Sequence, residues 1–212
     1  MKVLLFTKGA MNCGKWNTMA KNMLSNPFTA PTLSTGLYMA YFVHPRQNAL
    51  TTMLLKIGVG TPQPVGYMNI RSGLLFDKSY YISLLSTCPY IYDNLFTQQF
   101  DYAEEVFRAI GKVTARLHEH GYAHKDYGRA NILFQKTPNG ITIEIVDLNR
   151  MYIGPIDMKT GCKNFERLPA TPQMHRWMAE EYAKARNFDV EKCFELMKAY
   201  RSVQPGKIDN LY

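Results

Sequence analysis

The chain has 212 residues, of which 46% are apolar, 13% aromatic and 20% charged. That length suits one domain, or one domain in two lobes, and the composition excludes a disordered chain. Lys and Arg total 25 against 17 Asp and Glu, a net charge of +8, and no apolar run approaches the ~18 residues of a membrane-spanning helix.

Val3 to Thr7 reads as a strand, and Gly9 to Gly14 as a turn. The apolar part of this opening, Val3 to Phe6, is too short for a secretory leader, so a mature soluble chain is expected. Trp16 to Met23 is a strand or a short helix, and Asn26 to Thr35, rich in Pro, Ser and Thr, is a loop. Asn48 to Ile57 has helical periodicity, with Leu50, Met53, Leu54 and Ile57 on one face and Gly58 as its stop. Val65 to Met68 and Tyr80 to Leu84 predict a hairpin around a turn at Ile70 to Gly73. The strongest helical pattern runs from Asp101 to His120, with Val106, Ile110, Val113 and Leu117 recurring every three or four residues. Acidic residues crowd its start, as the helix dipole favours, and Gly121 ends it. His118 and His120 near its end are two apart, so they do not face one metal. They are expected to favour the helix C-terminus electrostatically. Ile132 to Phe134 and Ile141 to Val146 form a second hairpin across Thr137-Pro-Asn-Gly140. Helices over about Pro172 to Arg186 and Val190 to Arg201 follow.

The fold class is therefore α+β, with a strand-rich lobe over residues 1–84 and a mainly helical lobe over 85–212. Charge divides the same way. Residues 1 to 76 hold seven basic residues and no acid, while the remainder balances 18 basic against 17 acidic ones. This asymmetry points to an anionic partner of the first third, such as nucleotide phosphates or an anionic membrane. The basic residues are scattered rather than clustered, which disfavours nucleic acid. Four widely spaced cysteines suit a reducing cytosol better than a disulfide framework or a zinc site.

After the long helix comes His124-Lys-Asp126-Tyr-Gly-Arg129-Ala-Asn131, the H-x-D-x-x-x-x-N spacing of a kinase catalytic loop. Asp147 follows at the end of a β-branched strand. Phosphoryl transfer needs a carboxylate to receive the acceptor's hydroxyl proton, and oxygen ligands to hold Mg²⁺ against the nucleotide phosphates. Asp126 suits the first task, and Asn131 with Asp147 the second. Arg129, inside the loop, is a candidate to touch the transferred phosphate. His124 is expected to hold the loop beside the cofactor through hydrogen bonds. A competing motif, Gly9-Ala-Met-Asn-Cys-Gly14-Lys15-Trp16, falls one residue short of a phosphate-binding P-loop. Trp16 stands where a Ser or Thr would ligate Mg²⁺, so the two glycines are read as turn residues.

From about Trp16 to Arg201 the chain resembles the lipopolysaccharide kinases of the protein-kinase-like superfamily. The resemblance rests on His124 to Phe134 and on Asp147-Leu-Asn-Arg-Met151. Gly58-Val-Gly-Thr-Pro-Gln-Pro64, Ser79 to Ser83, Ala179-Glu-Glu-Tyr-Ala183 and Arg186-Asn-Phe-Asp189 support it. It implies a bilobal fold, ATP and Mg²⁺ as cofactors, and a sugar hydroxyl of a lipopolysaccharide inner core or similar glycolipid as acceptor. The basic first lobe suits cytoplasmic work at the inner face of an anionic membrane. Lys21 looks most like the phosphate-contacting lysine of such kinases, with Lys15 as the other candidate. The Glu that normally pairs with this lysine is absent, since Gln47 and Asn48 are the nearest polar residues. The Asp-Phe-Gly triplet reads Asp147-Leu-Asn149, keeping the metal ligand and losing the Gly. Two alternatives follow from these departures: a pseudokinase that binds nucleotide or acts as a scaffold, and a Ser/Thr protein kinase.

Overall fold

The computed structural model describes residues 3–6, 46–72 and 75–201. The segments read as a turn at Gly9 to Gly14, as a strand or helix at Trp16 to Met23 and as a loop at Asn26 to Thr35 lie outside the described residues, as do Lys15 and Lys21. The chain divides into two compact units. One comprises residues 1–56 and 61–86, and the other residues 57–60 and 87–212.

The first unit carries three strands: β1 (Val3–Phe6), β2 (Pro64–Ser72) and β3 (Leu75–Leu84). They form an antiparallel sheet in the order β1-β3-β2. The hairpin strands run further than the sequence suggests. Ile70 to Ser72 belong to β2 rather than to a turn, because Arg71 and Ser72 pair with Phe76 and Leu75 across a register shift. Ladder hydrogen bonds there outweigh the modest β-propensity of Arg and Ser. A helix, α1, runs over residues 46–56. Its buried face is Gln47, Leu50, Thr51 and Leu54, a helical repeat that corrects the expected face at two places, Met53 and Ile57, the latter half-buried just beyond the helix. Met53 is exposed, and Thr51 takes the inward place because its hydroxyl has partners there. That hydroxyl donates to the Gln47 carbonyl at 2.8 Å, so the Tyr81 hydroxyl, 3.0 Å away, donates to Thr51. Gln47 Oε1 is buried and has no hydrogen-bond partner among the described residues.

The second unit is built on α2 (Ala103–Glu119), α3 (Met158–Lys163), α4 (Pro172–Arg186) and α5 (Val190–Tyr200). α2 packs on α4, and the pair buries Val106, Phe107, Ile110 and Leu117 of the first and Met174, Met178, Ala179 and Tyr182 of the second. Gly111 lets the two helices approach: a Cβ there would stand 2.4 Å from the Met178 carbonyl oxygen. Thr171 caps the N-terminus of α4 through a bond from the Met174 N–H, and Asp189 caps α5 from the Lys192 N–H. Two small sheets complete the unit. β4 (Tyr90–Ile91) pairs with β6 (Ile132–Thr137), which pairs with β7 (Gly140–Ile145). β5 (Tyr122–His124) pairs with β8 (Met151–Ile153). Residues 57–60 dock on this unit. Gly58 turns at φ +73°, the Gly60 carbonyl accepts from the Ile145 N–H at 2.8 Å, and a Cβ at Gly60 would meet the Ile143 carbonyl oxygen at 2.2 Å. The glycines of Gly58-Val-Gly60 are thus required by a turn and by a backbone contact. Cys88, Cys162 and Cys193 are buried, and Cys162 and Cys193 are free thiols. Among the described residues no helix is long and apolar enough to cross a membrane.

Candidate active site

The loop after α2 begins where Gly121, at φ +77°, releases the chain from the helix. Pairing of β5 with β8 sets His124 opposite Met151, and the Lys125 N–H donates to the Arg150 carbonyl at 2.8 Å. This holds residues 125–131 beside the turn that starts at Asp147.

His124 is fully buried and uses both ring nitrogens on the backbone. Nδ1 accepts from the Asp126 N–H at 3.1 Å, which leaves the proton on Nε2. Nε2–H is shared between the carbonyls of Val146, at 3.1 Å, and Asp147, at 3.0 Å. Burial holds its pKa below the ordinary histidine value, so the neutral tautomer persists. His124 therefore ties the Asp126 backbone to the Asp147 backbone and acts as a positioning residue. The Asp126 carbonyl in turn accepts from the Asn131 side-chain amide at 2.8 Å and from the Gly128 N–H at 2.8 Å. The Asn131 carbonyl accepts from the Val146 N–H at 3.0 Å. Asp126, Asn131 and Asp147 are thus members of one hydrogen-bonded unit.

Tyr127 anchors the loop from below. The Thr114 hydroxyl donates to the Ile110 carbonyl at 2.7 Å, so the buried Tyr127 hydroxyl, 2.8 Å away, donates to Thr114. A chain of ring contacts continues from Tyr127 to Phe165 and on to Tyr182. A polar chain runs alongside. Asn164 Nδ2 donates to the His124 carbonyl at 2.8 Å, and Asn164 Oδ1 accepts from His118 Nε2 at 2.9 Å. His118 Nδ1 then accepts from the Tyr182 hydroxyl at 2.9 Å. His118 is buried, and burial lowers its pKa to about 4. It carries no charge at neutral pH, which corrects the expectation that it serves the helix C-terminus electrostatically. His120 fills a C-terminal role instead, with Nδ1 2.8 Å from the Arg116 carbonyl.

Two carboxylates face outward. Asp147 sits in the left-handed region at φ 59°, ψ 53°, and Asn149 Nδ2 donates to its Oδ1 at 3.1 Å. Asp126 is paired with Arg150, whose Nη1 lies 3.3 Å from Oδ2, and with Arg167, which meets Oδ1. Arg129 points elsewhere and pairs with Asp93 at 2.9 Å. With its Nδ2 spent on Asp126, Asn131 has an amide oxygen to offer a cation, and Asp147 has a carboxylate. One amide oxygen and one carboxylate fit Mg²⁺, which keeps several waters and shares phosphate oxygens. No group of three or more His, Cys, Asp and Glu among the described residues is placed to hold a metal.

Sequence reasoning missed Arg150, Arg167, Asn164, His118 and Tyr182 as parts of this site. Arg150 and Tyr182 fall inside stretches that carried the family resemblance. Asn164 and Arg167 lie on a 3-10 turn, Asn164–Arg167, too short to show periodicity.

Residues 46–200 match the model of the lipopolysaccharide kinase (Kdo/WaaP) family. One similar solved structure is WaaP in complex with acyl carrier protein, with a TM-score of 0.52 and 15% identity over 74% of this chain and 73% of that one. Another is a Rio2 kinase–ADP/Mg²⁺–phosphoaspartate complex from Chaetomium thermophilum, with a TM-score of 0.46 and 15% identity over 83% of this chain and 44% of that one. A search of curated protein sequences gave no match. The fold is α+β and protein-kinase-like. The chain belongs to the lipopolysaccharide kinase family, and the enzyme is accordingly a kinase, a phosphotransferase.

Proposed function

We propose that this kinase phosphorylates a sugar hydroxyl of a lipopolysaccharide inner core or similar glycolipid, with ATP as donor and Mg²⁺ as its metal. The observation that carries this reading is the single hydrogen-bonded unit linking Asp126, Asn131 and Asp147 through His124. Bound ATP supplies the phosphoryl group and leaves as ADP, while Mg²⁺ neutralises phosphate charge. Asp126 orients the acceptor hydroxyl and receives its proton as the new O–P bond forms. Asn131 and Asp147 hold the metal through oxygen. Lys21, or Lys15 in its place, contacts the phosphates. The acid-free first third suits work beside an anionic membrane at the cytoplasmic face.

The test is a thermal-shift titration of the full chain with ATP and Mg²⁺, followed by phosphate transfer to purified inner-core acceptor and to a peptide mixture. Wild type should show a Mg²⁺-dependent shift and label the glycolipid only. Asp147→Ala should lose that shift while keeping its fold. Asp126→Ala should keep it and transfer about 10²-fold or more slowly. Wild-type turnover in Asp126→Ala, or peptide labelling in preference to glycolipid, would overturn the assignment.

A further inference from the structure

Arg150 and Arg167 come from two separate short turns, yet both guanidinium groups meet the carboxylate of Asp126. Both oxygens of the acid that would serve the acceptor hydroxyl are therefore engaged. Stability does not account for this convergence. The arginine side chains are 67% and 53% exposed, against 22% for Asp126. Ion pairs this open contribute about 0–1 kcal/mol. Nor is the charge balanced. Two cations share one carboxylate, and among the described residues neither guanidinium has a second carboxylate partner. The exposed side chain of Lys125, whose N–H binds the Arg150 carbonyl, adds to the same positive surface. Each arginine approaches Asp126 through Nη1, and among the described residues neither side chain donates a hydrogen bond to any other group, so donors remain for an oxyanion, which a guanidinium fork binds in a bidentate manner.

We propose that Arg150 and Arg167 form an anion subsite for the acceptor. A carboxylate or phosphate carried by the acceptor near its reacting hydroxyl takes over the two guanidinium groups, and an oxygen of Asp126 is freed for that hydroxyl. The proposal rests on the reading of Asp126 as the group that receives the hydroxyl proton. It exchanges ion pairs and breaks no covalent bond. An uncharged sugar of the same size leaves Asp126 tied to its arginines, so these two residues select acidic acceptors. The phosphoryl group in transfer is the other oxyanion that could meet these arginines, and it is common to all acceptors.

The experiment uses the full chain as wild type, R150Q, R167Q, the double variant and R150K/R167K. Acceptors are purified inner-core glycolipid and the same material with carboxylates methyl-esterified and phosphates removed. Wild type should prefer the acidic acceptor by about 10–100-fold in kcat/KM, the range of charge-assisted hydrogen bonds. The double Gln variant should lose that preference, and the Lys pair should recover part of it. Equal turnover of both acceptors by wild type, or a preference that survives in the double variant, overturns the subsite. An equal loss on both acceptors assigns the arginines to the transferred phosphoryl group and also overturns it. Calorimetric titration with galacturonate and its methyl ester gives a readout that needs no turnover. Wild type should bind the acid more tightly than the ester, and the double variant should treat them alike. Identical binding by wild type and double variant overturns the proposal, whereas selective binding without phosphate transfer overturns the kinase mechanism and leaves the subsite standing.

Discussion

His118 and His175 are both buried, and burial lowers the pKa of each to about 4, from an ordinary 6.5. The sign of their effect follows. Between pH 6.5 and 4 the unfolded chain binds protons at these rings and the folded chain does not, so stability rises with pH across that window. It is fully present above pH 6.5 and is lost as pH falls through 4. Urea unfolding from pH 7 to 4.5 should show this slope, approaching about 1.4 kcal/mol per pH unit for each titrating ring. His175→Phe should remove one proton's worth of slope, and an unchanged slope would show that His175 is not the group being titrated. At this scale the sequence points to candidate residues but not to the charge states around them. Asp126, Asn131 and Asp147 were legible because phosphoryl transfer demands those types at that spacing. The neutral state of His118 was not, because it depends on burial, and the side chains packed on it include Tyr182, 64 residues away in the chain.

Helices and turns meet at glycines whose replacement has a definite consequence. Gly111→Ala would drive a Cβ into the Met178 carbonyl, where neither backbone can yield, and should destabilise the α2–α4 packing by about 1–3 kcal/mol in a denaturant titration. Asn164→Ala tests the polar chain that supports the catalytic loop. It removes the donor to the His124 carbonyl and the acceptor for His118, so kcat should fall about tenfold, with KM for ATP little changed. A matched rise in KM with kcat intact would show that Asn164 acts on binding instead. The long elements α2, α4 and α5 were readable from periodicity within a residue or two at each end. The two-residue strand β4, the β5–β8 pair and the turns around Asn164 were not, because pairing partners far along the chain define them.

Across the whole molecule, the sequence divides its charge more sharply than its composition. With no acid before Asp77, the first unit has no carboxylate from its first 76 residues to hold a phosphate-contacting lysine, and α1 offers the neutral Gln47. Where bound phosphates, rather than an acid from beyond residue 76, position that lysine, positive potential does what an ion pair does elsewhere, and potential is screened by salt. ATP affinity measured from 50 to 500 mM KCl should therefore fall steeply, and Lys21→Met should weaken it while the fold survives. A salt-independent affinity would remove the role given to that potential. The kinase-like architecture was legible from the catalytic-loop spacing and the glycine pattern after α1. How residues 57–60 leave the first unit to dock on β7 was not, because only the backbone contact at Gly60 reveals it.

Asp147 holds a left-handed backbone that glycine adopts without steric penalty. Asp147→Gly should relieve about 1 kcal/mol of strain and give a more thermostable protein. The same exchange deletes the carboxylate proposed to hold the metal. Directed evolution for heat tolerance alone would drift towards this substitution and enrich well-folded, inactive clones, so any stabilised library of this enzyme has to be screened for turnover at the same time.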